Sequence, residues 1–303
     1  MRGESKLKSI ENNNLSFVDP DPIDIKSKSS FNFLNKIMKN KGAIIGSVIL
    51  LFFIITSALA PIIAPYPVNE MSFEDSLQGP SLEHWLGTDE FGRDIWTRML
   101  HGGRVSLLMG LFAVTISGTI GVILGVIAGY YRKLDIYIMQ FIDILMTFPS
   151  LLMAIAIVAV LGVGLTNAMI AVAISTVPSF VRVVRGSVLS IRETEYVEAA
   201  RALGVKNWKI IGKHILPNVT SPIIILATLE FGSSILSAAS LSFLGLGAQP
   251  PNPEWGALVF VGKSFLSQAW WMTLFPGLAI MLVVLGFNLL GDGLRDALDP
   301  KSN

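Results

Sequence analysis

Six stretches of this chain are each long and apolar enough to cross a bilayer, and that property excludes most folds. A helical span needs about 20 mostly apolar residues, and such runs lie near Ile44 to Ala64, Val105 to Gly129, Ile136 to Gly162, Thr166 to Val184, Pro222 to Leu246 and Trp271 to Leu290. A bilayer offers no water to an unpaired backbone group, so segments of this length are expected to be helices. The predicted fold class is all-α, a polytopic membrane protein with six transmembrane helices. Hydrophobic residues make up 52% of the 303 and charged residues only 15%, less charge than a soluble domain carries.

Alternating the six spans across the membrane sorts the 23 Lys and Arg residues unevenly. Nineteen fall on one side; Arg93, Arg98, Arg104 and Lys263 are the four on the other. Excess Lys and Arg marks the cytoplasmic face, so both termini and the loop at 185–217 are expected in the cytoplasm. The first apolar run begins after about forty mostly polar residues, too long an n-region for a signal peptide. It is expected to remain as an anchor. Residues 1–30 read as a disordered tail, and Phe31, Phe33, Leu34, Ile37 and Met38, interleaved with Lys36, Lys39 and Lys41, as an interfacial helix.

Several chemistries lack their residues. There is no Cys, hence no disulfide, thiol nucleophile or Cys-based zinc site. His84, His101 and His214 are scattered, and no metal site is expected. The run Gly256 to Ser264 mimics a phosphate-binding loop but has five residues between its glycines where that loop has four. No serine sits in a Gly-x-Ser-x-Gly elbow. No catalytic residue and no nucleotide site are predicted, and no nucleic-acid partner.

The loop at 185–217 reads as a helix, a bend and a second helix. Ser190 and Glu193 have capping-box spacing, with Thr194 as a second cap. Tyr196, Val197, Ala199, Ala200 and Leu203 then share one broad face. Gly204 stands where a turn needs positive φ. Asn207 is placed to cap a second helix carrying Trp208, Ile211 and Ile215 at helical spacing, with Lys206, Lys209 and Lys213 elsewhere, and Pro217 is expected to end it.

That loop, Glu195-Tyr-Val-Glu198-Ala199-Ala200 through Gly204 to Leu216-Pro217, resembles the EAA loop of ABC importer permeases. His214 stands where the general pattern has Ile, as is familiar from the peptide-importing branch. Two more segments resemble the C-type permease subunit of dipeptide and oligopeptide importers, a signature some nickel importers share. They are Leu86-Gly87-Thr88-Asp89 to Gly92-Arg93-Asp94 with Arg98, and Gly286 to Pro300. The resemblance implies a type I permease fold in a prokaryotic cell membrane. Glu195, Glu198, Ala199, Ala200, Gly204, Leu216 and Pro217 would couple to cytoplasmic ATPases. It also implies a B-type permease partner, one or two kinds of ATPase carrying ATP and magnesium, an extracytoplasmic peptide-binding protein, and no cofactor on this chain. Nickel import is the alternative within the family, and an ion-gradient-driven transporter the alternative outside it. The implied organisation is a tail and interfacial helix at 1–43, a first span at 44–64, an extracytoplasmic segment at 65–104, a core at 105–292 containing the loop, and a tail at 293–303.

Some polar and small residues carry expectations of their own. Asp143 and Glu230 lie within spans, where ionisable groups need partners, water or a purpose. They are candidates for the substrate path, or for bonding to Gln140, Thr147, Thr228, Ser233 or a partner subunit. Asp89 with Arg93, and Asp94 with Arg98, have the spacing of exposed helical ion pairs; so, three apart, do Asp292 and Arg295. Gly118, Gly121, Gly125 and Gly129 form a stripe suited to close helix packing. Pro149 and Pro178 predict kinks.

Overall fold

The computed structural model describes residues 37–298, and the described residues form helices and connecting loops. Phe31, Phe33 and Leu34 of the expected interfacial helix lie outside them, as do residues 1–30, Asp299 and Pro300. The principal helices are α1 (Lys41–Ala58), α2 (Ile95–Tyr130), α3 (Arg132–Met146), α4 (Ser150–Leu161), α5 (Leu165–Arg192), α6 (Glu195–Ala202), α7 (Asn207–Ile210), α8 (Leu216–Phe243), α9 (Trp255–Gly262) and α10 (Trp271–Leu298). Among the described residues, five stretches are long and apolar enough to cross a membrane, and six if α3 and α4 count as one span.

That pair departs most from the sequence expectation. α3 and α4 meet at 90°, a break rather than a kink. Pro149 has no N–H to donate and disfavours helical backbone at Phe148, and it becomes the N-cap residue of α4. Pro178, in contrast, lies inside the unbroken α5. At 36 residues α2 is longer than the expected 105–129 span. At about 1.5 Å per residue it exceeds the hydrocarbon thickness, so part of it projects from the bilayer. Pro217 does not end its helix. A π-helical turn, Ile211–Ile215, joins α7 to α8 and carries the chain past it.

The glycine stripe of α2 packs as its spacing predicts, against α5. A Cβ on Gly121 would overlap Cβ of Phe180, one on Gly125 would stand 2.7 Å from Cβ of Val184, and one on Gly129 2.7 Å from Cβ of Val188. Small residues on one helix receive a four-residue repeat on the other, so the backbones approach without a hydrophobic driving force. α1 lies along α10 in the same manner, Gly46 against the Gly286 carbonyl and Gly293 against the Ala43 side chain.

The two ends of the bundle differ in construction. At one, Asn40 Nδ2 donates to Asp296 Oδ2 at 2.9 Å, tying the start of α1 to the end of α10. The end of α2 and the whole α6–α7 segment gather there too. At the other end the 65–94 segment folds over α9 and α10. Trp271 Nε1 donates to the Thr88 carbonyl at 3.0 Å, and Trp255 Nε1 to that of Met99 at 2.9 Å.

Candidate functional site

The α6–α7 segment is a rigid bracket with a bare outer face. α5 runs unbroken through Arg192, which places Ser190 inside a helix, so the expected capping box does not form. Thr194 is the N-cap residue of α6 by backbone, while its hydroxyl donates back to the Ile191 carbonyl at 2.7 Å. Glu195 and Glu198 occupy the first turn of α6, where the helix dipole favours acids. α6 closes on Gly204, whose φ is +77°. The Val205 N–H reaches the Ala200 carbonyl at 3.1 Å and the Gly204 N–H that of Arg201 at 3.0 Å, the two bonds of a Schellman motif.

The bracket is rooted in the bundle by its apolar side. Val197, Ile210 and Ile215 are fully buried, in one cluster with Val126 and Tyr130 of α2, Val184 and Val188 of α5 and Val219 of α8. Two polar ties add direction. The Tyr130 hydroxyl donates to Asn207 Oδ1 at 2.8 Å, so Asn207 binds α2 instead of capping its own helix; Lys206 is the N-cap residue. Arg192 is buried and donates through Nη1 to the Gly129 carbonyl at 2.9 Å. Neither tie has a sequence signal beyond a polar residue near a span end.

Facing outward are Glu195, Glu198, Ala199, Gly204, Leu216 and Pro217, with Ala200 half-buried. Leu203 is 84% exposed and Trp208 67%. Trp208 thus does not share a buried face with Ile215, as helical spacing predicts, and Ile210 takes its place. Beside α6 opens a cleft of about 760 Å³ lined by Tyr130, Arg132, Lys133, Arg192, Glu198 and Arg201, among others.

Within the spans, Asp143 and Glu230 find partners other than the expected ones. Asp143 of α3 pairs with Arg182 of α5, Oδ1 to Nη2 at 2.7 Å. Glu230 of α8 has Ser179 of α5 as its side-chain hydrogen-bond neighbour. Thr147, Thr228 and Ser233 spend their hydroxyls on carbonyls of their own helices. Deeper in sequence, Asp135 and Arg185 form a second α3–α5 pair, Oδ2 to Nη2 at 2.7 Å.

At the opposite end the Gly87-Thr88-Asp89 to Asp94 segment corrects the expectation of exposed helical ion pairs. Asp89 to Asp94 is a turn, with Gly92 at φ +72° and an antiparallel bridge from Thr88 to Asp94. Gly87, Thr88, Asp89, Gly92, Arg93 and Asp94 are all buried. Asp89 accepts from the N–H groups of Phe91 and Arg93 at 2.9 and 3.0 Å and from Arg93 Nε at 2.6 Å. Asp94 does not pair with Arg98. It caps α2 by accepting from the Thr97 N–H at 2.7 Å and meets His84 Nδ1 at 3.0 Å, while Arg98 Nε turns to Asp89 at 3.6 Å. Nearby, Glu254 caps α9 through Gly256 and Ala257, each at 2.9 Å. Burial pushes its carboxyl above the ordinary range, opposed by those N–H groups and by the Ser242 and Ser106 hydroxyls. Asp292 and Arg295 form no ion pair among the described residues, and α10 runs on to Leu298. No cluster of three or more His, Asp or Glu suited to a metal occurs among the described residues.

Family models and sequence relatives agree on the family, and a solved structure agrees on the fold. The family model described as binding-protein-dependent transport system inner membrane component matches residues 121–303, and that of the N-terminal TM domain of oligopeptide transport permease C matches residues 32–80. The dipeptide transport system permease protein DppC of Alkalihalophilus pseudofirmus is 55% identical over 267 residues, 88% of each chain. The glutathione transport system permease protein GsiD of Pectobacterium atrosepticum is 46% identical over 271 residues, 89% of this chain and 90% of its own. Among solved structures, an inward-facing conformation of the MetNI methionine ABC transporter matches with a TM-score of 0.55 at 21% identity, covering 67% of this chain and 97% of that one. At that identity the likeness establishes the fold.

Proposed function

This chain belongs to the binding-protein-dependent transport system inner membrane component family, as a multi-pass ABC importer permease, and on that premise we propose that it forms half of the translocation path of an ATP-driven peptide importer. The observation that carries the coupling is the bracket: a helix, a Schellman turn and a second helix, rooted by Val197, Ile210 and Ile215, with Glu198, Leu203 and Trp208 left bare. Relatives named for dipeptide and glutathione transport support peptide as the cargo over nickel. The partners are a B-type permease, one or two kinds of cytoplasmic ATPase that hold the ATP and magnesium, and an extracytoplasmic peptide-binding protein. Both termini lie in the cytoplasm in this reading.

The mechanism is mechanical. Closure of the ATPase pair pushes on Glu195, Glu198 and the Ala199–Ala200 surface. The bracket moves as one body because its apolar side is shared with α2, α5 and α8. Those spans tilt and the cavity opens outward, past Asp143 and Glu230, to the loaded binding protein. An ion-gradient mechanism would rest on the same two acids, and their neighbours, Arg182 at Asp143 and Ser179 at Glu230, support the importer reading instead.

Gly204→Val tests the bracket. A β-branched residue at φ +77° is strained by about 1–2 kcal/mol, but an added Cβ meets nothing within 4 Å, so the subunit is expected to insert. Uptake of labelled dipeptide into vesicles reconstituted with all partners should disappear together with transport-stimulated ATP hydrolysis. Normal uptake by Gly204→Val would refute the coupling role, and nickel uptake without peptide uptake by the wild type would refute the cargo. Lys206 and Lys209 should also resist labels applied outside intact cells.

A further inference from the structure

One face of α5 carries Ser179, Arg182 and Arg185 at three-residue intervals, about 4.5 Å apart along the helix. Each is opposite an acid from another helix: Glu230 of α8, Asp143 of α3 and Asp135 of α3. The row descends from mid-span toward the bracket. Its members are not equivalent. Arg185 grips both oxygens of Asp135, in a pair whose side chains are 30% and 20% exposed. Arg182 and Asp143 share a single contact, and their side chains are 52% and 58% exposed. Among the described residues, Asp143 Oδ2 and Arg182 Nε and Nη1 have no hydrogen-bond or ion-pair partner.

An ion pair that open does not face lipid. Asp143 lies in the last turn of α3, between Ile142 and Ile144 and just before the break at Pro149, and charges among apolar residues of a membrane helix face water or another protein surface. An acid and a guanidinium side by side, each with unused hydrogen-bonding capacity, complement a ligand that presents an ammonium and a carboxylate a residue or two apart. The carboxylate suits the planar fork of Arg182 and the ammonium suits Asp143. Glu230, one turn deeper, offers a second place for the ammonium.

Resting on the importer reading above, we propose that Asp143 and Arg182 form a station near the inner mouth of the path that takes the two charged ends of a zwitterionic peptide. Between passages the two side chains satisfy each other. A peptide arriving from the cavity exchanges that single contact for one bond at each end, and re-forming the pair releases it toward the cytoplasm. Asp135 and Arg185, closed on each other, brace α3 against α5 below it.

The test uses the complete transporter with its binding protein in vesicles. The double-neutral variant D143N/R182Q keeps polar, hydrogen-bonding side chains at both positions but removes both charges. A station predicts that dipeptide imported per ATP hydrolysed falls about tenfold, the scale of losing charge-assisted bonds, while the subunit still copurifies with its permease partner. A merely structural pair predicts wild-type import in D143N/R182Q and a defect only in the single variants D143N and R182Q, which strand one charge. Wild-type import by the double variant, or loss of the partner subunit on purification, overturns the station. Failure of the wild type to import any peptide overturns the importer reading and the station together, whereas an import defect in D143N/R182Q with the permease partner retained and wild-type import intact supports both.

Discussion

The outer segment around Asp89 and the inner bracket around Glu198 are both short, charged, glycine-punctuated loops, yet they use their polar residues in opposite ways. Asp89, Arg93 and Asp94 are buried and turn their charges on one another, on backbone N–H groups and on the N-terminus of α2. Glu195, Glu198, Lys206 and Lys209 face outward. The glycines divide likewise. A Cβ on Gly92 would overlap the Ser72 carbonyl, whereas one on Gly204 would meet nothing. Where polar groups are consumed internally, a motif maintains a shape. Where they are left bare on a rigid support, it presents a surface. The Asp89 segment thus folds the outer cap, on which Leu82 and Trp85 stand exposed.

Removing Asp89 should have the largest effect. Asp89→Ala leaves Arg93 and Arg98, each 4% exposed, with Glu90, 3.5 Å from Arg93, as the remaining acid, and breaking a buried pair in this way destabilises by about 3–5 kcal/mol. The expected result is little folded subunit in membranes and an early melting transition in detergent. A stable Asp89→Ala subunit that fails only in transport would erase the contrast between the two regions.

Next comes the α2–α5 seam that supports the bracket. Gly125→Leu forces a side chain into space held by Val184 and the Val181 carbonyl, and overpacking of this kind costs about 1–3 kcal/mol. The subunit should persist at reduced thermal stability, with uptake lowered roughly in step. Loss of uptake far beyond the loss of folded protein would place the seam in the moving part of the mechanism.

The α2 side of that seam was legible in the sequence, because Gly118, Gly121, Gly125 and Gly129 recur at a helical interval suited to close approach, while its partner α5 was not. Gly204 was legible for a similar reason: one residue type fits one backbone conformation. What escaped was long-range pairing. Asp89 and Arg93 are four apart, which reads as a helix, but Gly92 at positive φ turns the chain and buries both. Trp208 fits the helical period of Ile211 and Ile215, yet the π turn at Ile211–Ile215 shifts the register and exposes it. Asp143 was visible as an anomaly inside a span, while its partner was hidden because Arg182 sits near the predicted end of the next one and reads as a topology-setting charge. Periodicity reports which face a residue shares. Which other helix meets that face is decided by packing.

The smallest effect on stability and a large one on function should coincide at the bracket's outer face. Leu203 and Trp208 are among the most exposed apolar side chains of the inner end, and an isolated subunit gains little from either. Surface substitutions away from packing, caps and buried charge usually change stability by no more than about 0.5 kcal/mol. Leu203→Ser with Trp208→Ser should therefore leave the melting transition in detergent nearly unmoved. Buried aromatic and aliphatic anchors, in contrast, dominate protein interfaces, each contributing about 2 kcal/mol or more at a hot spot, and the loss of two should release the ATPases during purification. If the double variant retains its ATPases and its uptake, the coupling contact lies elsewhere on the bracket, and Glu198 with the basic cleft beside it becomes the surface to dissect. If it instead unfolds, these side chains support the fold after all, and the distinction between a motif that holds its own shape and one that offers a surface fails at the inner end.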